Sequence, residues 1–116
     1  MRGLKYMLGS LFLLGFCLSG YSAERIDPVK ATASGVSDFG FELFLSLYSK
    51  DPKDPVAISP MSIAEAVTLA TYGSEKETKK ELESLFISEA LKKEGADVKM
   101  LSYGLGNIRK SLKEYA

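Results

Sequence analysis

The sequence predicts an α+β chain that is mainly helical and contains one short strand. Apolar residues recur at helical spacing in four segments after residue 37, which indicates four helices. A single run, Val56-Ala57-Ile58, is short, apolar and β-prone enough to favour a strand. Helix caps and prolines separate these segments, and 116 residues is at most a one-domain length.

Residues 1–23 have the order of a secretory signal peptide. Arg2 and Lys5 precede an apolar stretch over residues 7–18, which gives way to small and polar residues at 19–23. The apolar stretch is about 12 residues long, well short of the roughly 20 that cross a bilayer as a helix. Cleavage after Ala23 or after Ser22 therefore predicts a secreted, extracellular chain that has lost Cys17 and carries no membrane anchor.

Composition excludes several kinds of chemistry. The chain has no His, so nucleophilic sites that need an imidazole and His-ligated zinc sites are excluded. Its 15 basic and 15 acidic residues balance, so no excess of positive charge favours nucleic acid. We expect the chain not to be an enzyme and to have no cofactor, metal or nucleic-acid partner.

The mature chain is expected to begin with a flexible lead-in over residues 24–36, because this segment contains Pro28 and a run of small residues. A domain then follows over residues 37–116. Ser37 or Asp38 caps its first helix, whose large apolar residues run from Phe39 to Tyr48 at helical spacing. The apolar arc is wide, so this helix needs to be covered on more than one side.

The predicted strand leads directly into a second helix. Residues 51–55 contain two prolines and form a turn, after which the strand of residues 56–58 meets Ser59, a helix cap, and Pro60, favoured at the first helical position. The helix from Pro60 to Tyr72 is almost wholly apolar, with Glu65 as its only charge, and is therefore expected to be buried. Gly73 is expected to end it in the left-handed conformation.

Two further helices complete the prediction. Thr78 and Glu81 have the spacing of a capping box in front of a short helix. Beyond it, five apolar residues step by three and four along an amphipathic helix: Val98, Leu101, Leu105, Ile108 and Leu112. Its basic residues are candidates for a weak polyanion contact, but nearby acids favour an ordinary solvated face; they are Lys99, Arg109, Lys110 and Lys113.

This order of segments resembles the N-terminal part of a serpin, the family of serine protease inhibitors. The family pattern is Asn, three apolar residues, Ser-Pro-x-Ser-Ile, a buried helix ending in Gly-Ala, and a Thr shortly after. The matching residues, in identity and spacing, are Ser59, Pro60, Ser62, Ile63, Gly73 and Thr78, preceded by a helix that starts with Phe39. The chain departs from the pattern at Pro55, Ala57 and Ser74, where the family has Asn, an aromatic residue and Ala.

The resemblance implies an α+β serpin fold, of which this chain supplies mainly N-terminal helices, truncated before the reactive loop. A full-length serpin traps an extracellular serine or cysteine protease when its cleaved loop inserts into the main sheet. In this comparison, Ser59, Pro60 and Ser62 lie at the point where the sheet opens, and the other matching residues are structural. The alternatives are a small secreted helical binding module or a non-inhibitory protein derived from a serpin.

Overall fold

A computed structural model describes residues 25–116, so the predicted signal peptide lies outside the described residues. This range contains five helices: α1 (Pro28–Lys50), α2 (Pro60–Tyr72), α3 (Lys76–Ser84), α4 (Glu89–Lys93) and α5 (Val98–Tyr115). The prediction of a mainly helical chain is confirmed. None of the five helices is long and apolar enough to span a bilayer.

The predicted strand over residues 56–58 is not formed, and residues 25–116 contain no strand. A strand is stabilised by hydrogen bonds to a neighbouring strand, and the described part of the chain offers none. Val56 and Ile58 are nevertheless partly buried while Ala57 is exposed, so the segment alternates between faces as a strand does. Residues 56–58 have the apolar pattern of a strand, but residues 25–116 contain no neighbouring strand for them to pair with.

The first helix begins much earlier than predicted, and residues 28–36 are helical rather than a flexible lead-in. Asp27 caps it, because the carboxylate accepts hydrogen bonds from the amides of Val29 at 3.0 Å and Lys30 at 3.2 Å. Pro28 occupies the first turn, where its missing N–H costs nothing. Gly35, one of the small residues that indicated flexibility, instead lets the backbone of Phe86 approach α1 closely.

The boundary between α2 and α3 differs from the prediction at Gly73 and Thr78. Gly73 has φ −87° and stays in the right-handed region, and its amide donates to the Ala70 carbonyl at 3.1 Å. The positive φ falls instead on Lys76, at 50°. Because α3 begins there, with Glu75 at its N-cap position, Thr78 lies inside the first turn and the capping box does not form.

The core lies where α5 packs against α1 and α2. Its buried apolar residues are Val36, Ala64, Phe86, Ile87, Ala96, Leu101 and Leu105. Asp97 caps α5 by accepting from the amides of Lys99 at 3.0 Å and Met100 at 3.3 Å. The amphipathic pattern predicted for α5 is confirmed in its first half, where Val98, Leu101 and Leu105 are buried. Farther along, Ile108 is half-buried and Leu112 is exposed.

Candidate functional site

The Ser59-Pro60-x-Ser62 motif forms the N-terminus of α2. Ser59 is extended, with φ −113° and ψ 94°, which lets its side chain turn back over the first helical turn. Its hydroxyl oxygen lies 3.4 Å from the Ser62 amide nitrogen, which donates to it, and the hydroxyl donates to Ser62 Oγ at 2.9 Å. The Ser59 carbonyl accepts the first helical hydrogen bond, from the Ile63 amide at 3.2 Å. Both hydroxyl groups are exposed to solvent.

Pro60 sits between this pair of serines and α1. Its ring is half-buried, and its neighbour on α1 is Gly40, which is buried. A Cβ atom placed on Gly40 would lie 2.5 Å from Cγ and 2.9 Å from Cβ of Pro60. Real atoms do not approach so closely, so only glycine allows this separation between α1 and the start of α2.

The four residues assigned a structural role do not form one cluster. Phe39 packs on Phe86 with ring centroids 4.8 Å apart and the rings tilted by 57°, an arrangement that aromatic pairs favour. Ile63 is half-buried one turn into α2, beside the serine pair. Gly73 follows the last residue of α2, Thr78 lies in the first turn of α3, and both are exposed.

A second feature of the site is a large uncovered apolar surface on α1. Phe41 is 71% exposed and Leu45 62%, and Phe44 and Tyr48 stack on each other with centroids 6.2 Å apart. A groove of about 610 Å³ runs from Phe41 and Phe44 past Pro60 to α5. The wide apolar arc of α1 predicts that this helix is covered on more than one side. Residues 25–116 leave these apolar side chains exposed, so they do not supply that cover.

The outer face of α2 is also uncovered. Ser62, Ala66 and Leu69 are spaced four and three residues apart, so they share one side of the helix, and all three are exposed, Leu69 by 75%. The opposite side is buried at Ala64 and Thr68. The helix predicted to be nearly fully buried is therefore covered on one side only within residues 25–116.

An ion pair that sequence reasoning missed joins α2 to α5. Arg109 Nε donates to Glu65 Oε1 at 3.0 Å, and a second contact joins the Arg109 guanidinium to the other carboxylate oxygen. Glu65 is the only charge on α2, and a lone charge on an apolar helix is the signal that could have indicated a partner. Because Arg109 is engaged, it is not part of a free basic patch.

Residues 25–116 contain no group of three or more His, Cys, Asp or Glu side chains arranged to hold a metal ion. The arrangement at the start of α2 is an exposed serine pair on a helix cap, in which the two hydroxyl groups bond to each other. Such a pair can exchange hydrogen bonds with an adjacent backbone.

The family comparison identifies the class of protein. The model of the family described as Serpin (serine protease inhibitor) matches residues 34–115, which include all of α2 to α5. The chain therefore belongs to the serpin family.

Among curated proteins, the chain is similar to pigment epithelium-derived factor of Homo sapiens. The two are 37% identical over 51 residues, which is 44% of this chain and 12% of that protein. The chain thus covers a small part of the length of the curated relative it matches. No solved structure matches the chain significantly.

Proposed function

We propose that the chain is secreted and forms the N-terminal helical part of a serpin whose full-length form inhibits an extracellular serine or cysteine protease. The observation that carries the proposal is the Ser59-Pro60-x-Ser62-Ile63 motif, capping α2 inside the region matched by the serpin model. The inhibitor would act by insertion of a cleaved reactive loop into its main sheet as an added strand. The bait loop is not within these 116 residues.

In this proposal α2 supports the sheet that opens. Its outer face carries Ser62 and Leu69, and its inner face holds the helix to the core. A sheet on the outer face would cover Leu69 and place its strands beside the two hydroxyl groups. Ser59 and Ser62 bond to each other and are exposed, so either hydroxyl can exchange this bond for one to a strand backbone while water satisfies the group it leaves.

The extracellular location rests on the predicted signal peptide over residues 1–23 and on the resemblance to secreted inhibitors. The possible polyanion contact on α5 stays weak in this proposal, because Arg109 is paired with Glu65. The proposed protein partner is the protease.

A protease-trapping experiment tests the proposal. The native secreted protein that contains this sequence is incubated with a panel of trypsin-like, chymotrypsin-like and cysteine proteases and analysed on denaturing gels. Inhibition by loop insertion predicts a band that resists denaturation, because the protease remains acylated. The matched control is the same protease with its nucleophile replaced by Ala, which cannot form the acyl bond and should give no such band.

Two results would contradict inhibition. Cleavage of the protein by every protease without a stable complex favours the non-inhibitory alternative. A stable band that persists with the inactivated protease would show that the complex is not an acyl-enzyme.

A further inference from the structure

Helix formation does not explain why residue 40 is a glycine. Glycine in a helix interior is less favourable than alanine, and Gly40 lies in the middle of α1. What its missing side chain provides is the contact with Pro60, whose Cγ would be 2.5 Å from an added Cβ. The glycine therefore sets the distance between α1 and the first residue of α2.

We propose that Gly40 is a positioning residue for the Ser59-Pro60-x-Ser62 motif. The proline ring is rigid and fixes its own φ, so a push on the ring moves the backbone on both sides instead of being absorbed by a side-chain rotation. The backbone that moves includes Ser59, whose hydroxyl contacts the amide and the hydroxyl of Ser62. The importance of this coupling for sheet opening rests on the proposed function, but the coupling itself does not.

The coupling extends from the motif to the apolar surface of α1. Gly40, Phe41 and Phe44 line the same groove as Pro60, so the two features share atoms. A molecule that binds in this groove would contact Pro60 at the start of α2. Gly40 is the point at which α1 contacts the motif without an intervening side chain.

Amide hydrogen exchange of the full chain tests the proposal. In Gly40→Ala the Ser62 amide should exchange about fivefold faster, the effect of weakening an N-cap worth about 1 kcal/mol. The control is Gly106→Ala in α5, where an added Cβ meets nothing within 4 Å. This control makes the same chemical change in another helix and should not speed the exchange of the Ser62 amide.

A double variant separates positioning from general loosening. Gly40→Ala combined with Pro60→Ala removes the ring Cγ nearest to the new Cβ. The freed φ at residue 60 lets the remaining Cβ, 2.9 Å away, move aside, so the double variant should restore slow exchange at Ser62. The double variant also keeps the test usable if Gly40→Ala alone fails to fold. Unchanged exchange in Gly40→Ala, or fast exchange that the second substitution does not rescue, would overturn the proposal. Neither readout involves a protease, so failure here is distinct from failure of the trapping experiment.

Discussion

Gly104 and Gly106 should respond to the same substitution in opposite directions, although they lie two residues apart on α5. Gly104 is buried against α1, where an added Cβ would lie 2.5 Å from Thr32 Cβ and 2.9 Å from the carbonyl oxygen of Pro28, and closer still to Thr32 Oγ1. Gly106 is exposed, and nothing lies within 4 Å of the corresponding position. The pair therefore separates helix propensity from packing within one helix.

The expected free energies follow from two terms. Replacing a helix-interior Gly by Ala gains about 1 kcal/mol of helix propensity at either position. Gly106→Ala keeps this gain and should stabilise the chain by about 1 kcal/mol. Gly104→Ala adds an overpacking cost of about 1–3 kcal/mol. The upper part of that range applies, because one of the clashing atoms is backbone and Thr32 is fully buried. The net effect is a destabilisation of about 2 kcal/mol.

Urea unfolding followed by far-UV circular dichroism measures both variants against the parent chain. At constant slope, a change in the midpoint reports a change in stability. The midpoint should rise for Gly106→Ala and fall for Gly104→Ala. If Gly104→Ala is as stable as Gly106→Ala, α1 and α5 do not approach each other at Thr32, and the described packing is wrong.

Substitutions also test three other features: an ion pair, a buried hydroxyl and a helix cap. Replacing Glu65 and Arg109 by Ala, singly and together, should give a coupling energy of about 0.5–1 kcal/mol that falls with added salt, because both side chains are partly exposed; a coupling of zero at low salt would show that the pair is not formed. Thr68→Val should stabilise the chain by about 1 kcal/mol, because it removes a buried hydroxyl without a hydrogen-bond partner. Thr71→Val is its matched control, since that hydroxyl donates to the Val67 carbonyl at 2.8 Å and its loss should destabilise; equal effects in urea unfolding would contradict this assignment. Asp97→Ala should lower stability by about 1 kcal/mol through loss of the α5 cap, and Asp97→Asn should retain most of it; an unchanged melting temperature in Asp97→Ala would exclude the cap.

The parts of the fold that the sequence predicts correctly are those determined by local chemistry. Ser59 and Pro60 define the start of α2 because a cap and a proline act within one turn. The apolar repeat of α5 predicts its buried face for the same reason. The hydrogen bond between Ser59 and the Ser62 amide was likewise predictable from the spacing of the two residues.

The parts that the sequence did not predict depend on tertiary contacts. The small residues around Thr32 suggested a flexible segment, but this segment is helical and Gly104 of α5 packs against Thr32. The Glu65–Arg109 pair joins residues 44 positions apart, and no local pattern reports such a distance. The strand at 56–58 was predicted from residues that suit a sheet, but its formation depends on a neighbouring strand that residues 25–116 do not contain.

The intact mass and N-terminal sequence of the native secreted protein test the central claim most directly. The protein is identified by the presence of its own peptide spanning Val56 to Tyr72, which contains the motif and α2. A secreted inhibitory serpin predicts an N-terminus at residue 23 or 24 and a mass several times that of residues 24–116. A mass equal to that of residues 24–116 would contradict inhibition by loop insertion and favour a small helical binding module instead.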